Sequence, residues 1–265
     1  MTEFAVPSSE SSFSKSSLPE SSFSESSFSE SSAAEFSPSE FPFSDLLDFL
    51  GSTQLFDGLD RNQLAILVQL ARCQTYERGE SIFLQGDPAE GFFVVRSGRV
   101  KIFQVSANGR EQILHIFGEG DHFAEVPAFD GQCFPASATA LESSELLFFP
   151  RQFFLALLEQ NPSLTINLLK SLARHLRRFS ILVDDLSLRE VPERLASYLL
   201  KRSAELENSD RLPLDITKGQ LAALLGTIPA TLSRALYKLS QDGVITTEGN
   251  VIYVRDRAAL ERLAQ

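Results

Sequence analysis

Between residues 217 and 244 the sequence reads TKGQLAALLGTIPATLSRALYKLSQDGV, and few folds accommodate that run. Thr217 followed by Gln220 is a capping box: each side chain can satisfy a backbone N–H that the first helical turn leaves without a partner. A helix is therefore predicted from Lys218, with Leu221, Leu224 and Leu225 on its buried face. Gly226 ends it, because glycine enters the left-handed conformation at little cost. Pro229 suits the first turn of a second helix, where a missing N–H is harmless, and Leu232, Leu236 and Leu239 form that helix's inner side. The outer side is then Thr231, Ser233, Arg234, Tyr237 and Lys238, with donors and positive charge suited to phosphates and base edges in a major groove. A solvated helical hairpin would share the leucine pattern. The residues that follow favour the groove: Asp242-Gly243 closes the second helix, and two β-rich runs flank Glu248-Gly249-Asn250 as a wing.

The 265 residues suffice for two domains, and 43% hydrophobic content is ordinary for globular chains. No apolar run reaches the ~18 residues of a membrane span, and the N-terminus lacks a signal-peptide layout, so a cytoplasmic protein with no membrane partner is expected. The net charge of −11 is unevenly spread: −8 over residues 1–50, −4 over 51–188 and +1 over 189–265. A +1 region attracts phosphates weakly, so affinity for double-stranded DNA must come from placed cations and from pairing of copies. Cys73 and Cys133 have no metal-ligand spacing and read as plain buried thiols. No G-x-S-x-G, P-loop or H-E-x-x-H is present, and no enzyme is expected.

In chain order, residues 1–44 repeat an SSFSE-like unit with Phe13, Leu18, Phe23 and Phe28 every five residues. That period fits neither helix nor strand, so a disordered acidic tail is expected. Residues 45–162 hold short helices around β-rich runs (SIFL, GFFVV, RVKIFQV, EQILHIF, ASATAL, ELLFF) at glycine turns, which suggests a sandwich or barrel-like roll. Residues 163–188 read as one long helix. Its Leu169, Leu172, Leu176, Phe179, Val183 and Leu186 recur at steps of three and four, the seam of two parallel helices, and a homodimer is favoured over a helix docked only on its own domain. Two copies would set their recognition helices about one DNA turn (~34 Å) apart, on a pseudo-palindromic site. Residues 189–191 form the expected hinge, and 189–265 the DNA-binding domain.

Taken together, residues 79–87 (GESIFLQGD), 97–100 (SGRV), 120–125 (GDHFAE), the long helix and 226–234 form an ordered set that resembles the CRP/FNR family of bacterial transcription regulators over residues 51–265. The resemblance implies an α+β chain: a cyclic-nucleotide-binding-like β-roll (double-stranded β-helix), a dimerisation helix and a winged helix-turn-helix. It also implies RNA polymerase as a partner and a small-molecule or gas effector. Carried over residue by residue, the effector pocket falls at Phe123, Glu125, Phe134, Pro135 and Ser137, and the DNA contacts at Thr217, Thr231, Ser233, Arg234, Tyr237 and Lys238.

Two departures matter. Cyclic-AMP-binding members hold the phosphate with a Gly-Glu pair and a later Arg; here stand Ala124-Glu125 and Pro135, and proline offers no cationic fork. The oxygen-sensing branch's cysteine cluster is absent. The nearest branch is then the one answering nitric oxide or other nitrosative and anaerobic signals, some of whose members carry haem. Axial-ligand candidates are His115, His122 and His175; a small metal on Asp121, His122 and Glu125 is a weaker reading. In the reading head, Ala230 stands where the family often has Glu, so the operator should differ by one base pair per half-site. The rival reading is a cyclic-nucleotide-type regulatory module that docks a protein.

Overall fold

The computed structural model describes residues 35–36 and 42–264. The roll begins with β1 (Glu35–Phe36), α1 (Phe43–Ser52) and α2 (Arg61–Leu70), followed by β2 (Arg72–Tyr76), β3 (Ser81–Phe83), β4 (Gly91–Ser97), β5 (Val100–Val105), β6 (Glu111–Phe117) and β7 (His122–Phe123). It closes with α3 (Glu125–Asp130), β8 (Ser137–Ala140), β9 (Ser144–Pro150) and α4 (Arg151–Gln160), and the long helix α5 spans Pro162–Leu188. Then come α6 (Val191–Glu205), β10 (Arg211–Pro213), α7 (Lys218–Leu224), α8 (Pro229–Gln241), β11 (Ile245–Glu248), β12 (Val251–Val254) and α9 (Arg257–Leu263).

Two antiparallel sheets make the roll, one ordered β1-β2-β9-β4-β7 and the other β3-β8-β5-β6; β10-β12-β11 forms the wing sheet. Strand β4 explains why GFFVV reads as an unbroken apolar run. Phe92 and Val94 face the helical layer, while Phe93 and Val95 face the roll interior, so both faces are buried. Phe83, Phe93, Phe123 and Phe134 fill the roll with stacked or tilted rings. A third core, of Leu195, Leu199, Leu221, Leu232, Leu236, Ile252 and Leu260 among others, underlies the reading head, and Leu141 of the roll packs into it.

Helix α5 is apolar on two sides. Leu164, Leu168 and Ser171, at steps of four and three, bury against the chain's own roll. On the other side Leu169, Leu176, Phe179 and Val183 stand in the open, Leu176 being 70% exposed. Leu172, expected in the seam, packs partly on the roll core. Leu186 lies against Gly226.

Several expectations need correction. Glu35–Phe36, read as tail, pairs antiparallel with β2. Phe43 and Ser44, also read as tail, already belong to α1; the rest of the tail reading lies outside the described residues. His122, read as a turn residue, is in β7 because its backbone pairs with Val94. Cys73 is buried, but Cys133 is exposed. Short elements without internal periodicity, α3, β10 and α9, were not legible.

Gly226 occupies the left-handed region at φ +63°, and an added Cβ would lie 2.2 Å from Leu186 Cδ2. Gly226→Ala is expected to lower stability by about 1–2 kcal/mol from backbone strain alone, with a steric cost on top. A denaturant-unfolding midpoint equal to wild type would contradict that reading.

Candidate functional site

The helix pair forms through the local signals that its sequence carries. Thr217 Oγ1 accepts the Gln220 N–H at 3.2 Å, and Gln220 Oε1 accepts the Thr217 N–H at 2.8 Å. After Gly226, the Thr227 N–H returns to the Ala222 carbonyl at 2.9 Å and α8 starts at Pro229. Leu232, Ala235, Leu236 and Leu239 face inward. Ser233, Arg234, Tyr237 and Lys238 are exposed and Thr231 is half-buried. Arg234 Nη2 donates to Thr231 Oγ1 at 3.1 Å, so one side chain restricts the rotamers of the other before any partner arrives. Thr217 is exposed at the start of α7. Arg255, exposed just past the second wing strand, donates to Thr246 Oγ1 at 3.0 Å and lies over the Tyr253 ring. Sequence reasoning missed this cation; its position directly after a wing strand was the available signal.

The second feature is a cavity of about 230 Å³ between the roll and α5. Of the expected pocket residues, Phe123, Glu125, Phe134 and Pro135 line it. Ser137 does not: it is buried in β8 with its hydroxyl accepting the Gln85 N–H at 2.9 Å. Phe83, Ile102 and Phe117 complete the roll wall, and α5 contributes His175, Arg178 and Phe179. Both Leu114 and His115 reach it because β6 slips register between Ile102 and Phe103, which sets an extra residue against β5.

The polar groups here are few and buried. Glu125 is 2% exposed, and the His175 Nδ1 lies 2.9 Å from its Oε1. That is ion-pair distance without hydrogen-bond alignment, so Oε1 keeps no hydrogen-bond partner among the described residues. Burial pushes the Glu125 carboxyl up, and the adjacent His175 and His122 more than reverse this, leaving it below the ordinary glutamate range. His122 is buried with Nε2 2.8 Å from Ser171 Oγ, and burial lowers its pKa. His115 Nε2 sits 3.1 Å from Arg178 Nη1; since guanidinium can only donate, the imidazole accepts there and is neutral. Burial first, then Arg178 and Lys201, push its pKa down to about 3. Each haem-ligand candidate thus has one ring nitrogen committed, and only His115 and His175 line the cavity. Asp121, His122 and Glu125 do not converge on a point: Asp121 accepts the Gly118 N–H, His122 meets Ser171 and Glu125 meets His175. Among the described residues no three metal-ligating side chains cluster.

The cavity and the reading head share a wall. His115 and Phe117 of β6 face the cavity, while Ile116 packs into the core of the reading head, and α7 lies on β6. The roll also grips both ends of α7. Just before it, Arg99 forms a bidentate pair with Glu142 at 2.9 and 3.0 Å and reaches Asp215 Oδ2 at 2.8 Å, and Asp215 also accepts from Arg202 at 3.0 Å. Just after it, Arg110 of the roll donates to the Gly226 carbonyl, while Arg194 of α6 donates to that of Leu225.

Acid should loosen this junction. Between the ordinary histidine value of 6.5 and about 3, unfolded chain takes up the proton that folded His115 refuses, so stability falls as pH falls through that window. His122 acts in the same direction, and Glu125's contribution, present above the ordinary glutamate value, is lost below it. The thermal midpoint is expected to drop between about pH 7 and pH 4, with a shallower slope for His115→Gln. A midpoint independent of pH across that range would contradict these assignments.

Comparison with known proteins gives this geometry a family. Residues 73–161 match the model of the cyclic nucleotide-binding domain, and residues 193–263 that of the Crp-like helix-turn-helix domain. The chain is 36% identical over 211 residues to the cyclic AMP receptor protein of Thermus thermophilus, covering 79% of this chain and 96% of that protein. It is 30% identical over 199 residues to the transcriptional activator protein anr of Pseudomonas aeruginosa, covering 73% of this chain and 80% of that protein. The solved structure of FixK2 from Bradyrhizobium japonicum shares the fold, with a TM-score of 0.65 at 24% identity over 74% of this chain and 98% of that one. A reading head on a wing, a roll with a cavity against α5 and relatives matched over most of their length agree: the chain belongs to the CRP/FNR family of DNA-binding transcription regulators, which is not an enzyme family.

Proposed function

We propose that the chain is an effector-responsive regulator that pairs through α5 and reads a pseudo-palindromic promoter site in the cytoplasm, where it meets RNA polymerase. The observation that carries this reading is the shared wall: β6 touches the effector cavity on one face and carries α7 on the other. An occupant that fits one arrangement of β6 better than another biases the placement of the reading head by its difference in affinity for the two. Pairing is supported by the exposed stripe Leu169, Leu176, Phe179 and Val183, too large an apolar surface for one rod to leave in water.

The contacts divide by chemistry. Arg234, exposed on the outer face of α8, suits bidentate contact with guanine, and Ser233 a neighbouring base edge; Thr217, Thr231, Tyr237, Lys238 and Arg255 suit phosphates. The effector is a small molecule rather than cyclic AMP, since Pro135 supplies neither cation nor N–H where a phosphate would lie. A haem-borne nitrosative signal is the narrower alternative. His115 or His175 could offer its second ring nitrogen as the axial ligand from the cavity wall, but a cavity of about 230 Å³ is far smaller than a porphyrin. Added haem is therefore expected to leave no protein-bound Soret band in purified protein, and a stoichiometric band shifted by nitric oxide would overturn the preference. The reading as a protein-docking module finds less support, because the exposed face of α8 carries cations and donors in place of apolar anchors.

Arg234→Ala is expected to cost about 1–3 kcal/mol per half-site and to relax preference at one base pair, whereas Lys238→Ala should weaken all sequences alike and reduce the salt dependence. Titration of wild type and variants against matched and mismatched duplexes at several salt concentrations checks this; unchanged base preference in Arg234→Ala would refute the assignment. Asp215→Asn, which weakens the grip of Arg99 and Arg202, is expected to shift the effector-free DNA affinity at least about fivefold while keeping the base preference. Equal affinity for variant and wild type would remove the grip from the account.

A further inference from the structure

The cavity's size, its wall and one buried acceptor together define a class of occupant. At about 230 Å³ it falls below the ~300–1,000 Å³ of pockets that hold drug-sized ligands, so it takes one ring more readily than a base, sugar and phosphate together. Its deep wall is aromatic: Phe83 and Phe134 stack with centroids 3.7 Å apart, and Phe117 and Phe123 lie tilted at 5.5 Å. Such a wall favours a flat ring by offset and edge-to-face packing. Against it stands the buried carboxylate of Glu125, whose Oε1 lies 2.9 Å from His175 Nδ1 but out of hydrogen-bond alignment with it. A carboxylate oxygen whose one neighbour is misaligned keeps lone pairs for a donor on the ligand, and a bond to a charged acceptor is stronger than one between neutral groups.

We propose that the effector is a single-ring hydroxylated aromatic molecule, a phenol, held with its ring against Phe83, Phe117, Phe123 and Phe134 and its hydroxyl donating to Glu125 Oε1. The assignment rests on the effector-site reading above and narrows it to a ligand class. His175, 2.9 Å from the same oxygen, keeps the carboxylate in place from α5, so a ligand that engages Glu125 bears on the long helix as well as on the roll.

The test is calorimetric titration of the full chain with 4-methylphenol, with toluene, which matches its shape without the hydroxyl, and with cyclic AMP. The expected result is one 4-methylphenol per chain, bound roughly tenfold or more tighter than toluene, with cyclic AMP weaker than 4-methylphenol. Glu125→Leu should retain toluene and erase the preference for the hydroxyl. Because removing Glu125 also deprives His175 of its partner, Phe134→Trp serves as the second variant: it fills the cavity, leaves Glu125 untouched and should abolish binding of both aromatics. Equal affinity for 4-methylphenol and toluene, tighter binding of cyclic AMP, no aromatic binding at all, or 4-methylphenol binding that survives Phe134→Trp would each overturn the ligand class. Binding at the cavity that leaves the affinity for promoter duplex unchanged would instead overturn the effector-responsive reading while the site assignment stood.

Discussion

Helix α5 has more apolar surface than one domain can cover, and the arrangement of the chain follows from that. Leu164, Leu168 and Ser171 lock one side onto the roll, while Leu169, Leu176, Phe179 and Val183 leave the other side uncovered. At ~25 cal/mol per Å² such an outer stripe gains by burial, which supports the proposed pairing with a second copy. The same rod supplies His175, Arg178 and Phe179 to the cavity and Ser171 to His122, then ends beside the turn of the reading head, where Leu186 meets Gly226. In the proposed function, pairing, sensing and reading share this one element, so a shift in how α5 seats on the roll would bear on all three.

Strand β6 plays the complementary part. Its register slip brings Leu114 and His115 to the cavity together, and its far face carries α7, whose ends are fixed by Arg99 with Asp215 and by Arg110 with the Gly226 carbonyl. Coupling between two sites needs an element with two arrangements that both sites bias. The proposed function assigns that role to the β5–β6 hairpin, which is held to the reading head by ionic and hydrogen-bonded contacts at its border and by Ile116 at its centre. Such partly exposed contacts are individually weak, which suits the proposed effector response, since a large apolar interface would not release.

The reading head was legible because its signals are local. The capping box of Thr217 and Gln220, the left-handed Gly226, Pro229 and the leucine spacing all act within a few residues, and the structure repeats each of them. Long strands with glycine turns were legible for the same reason. The cavity was only half legible. Phe123, Glu125, Phe134 and Pro135 lie on two short segments, but Phe83, Leu114 and Arg178 arrive from strands and a helix far away in sequence, and a bulge that turns Leu114 inward leaves no mark in residue spacing. Ser137 was misplaced because strand alternation sends it to the Gln85 N–H. The ion pairs between Arg99 and Asp215, 116 residues apart, exist only once roll and reading head meet.

The central claim is that α5 joins two copies into one DNA-reading unit. Sedimentation equilibrium of the full chain, alone and with a palindromic duplex, tests it directly. The account predicts twice the chain mass without DNA and two chains per duplex with it. A single-chain mass in both conditions would contradict it.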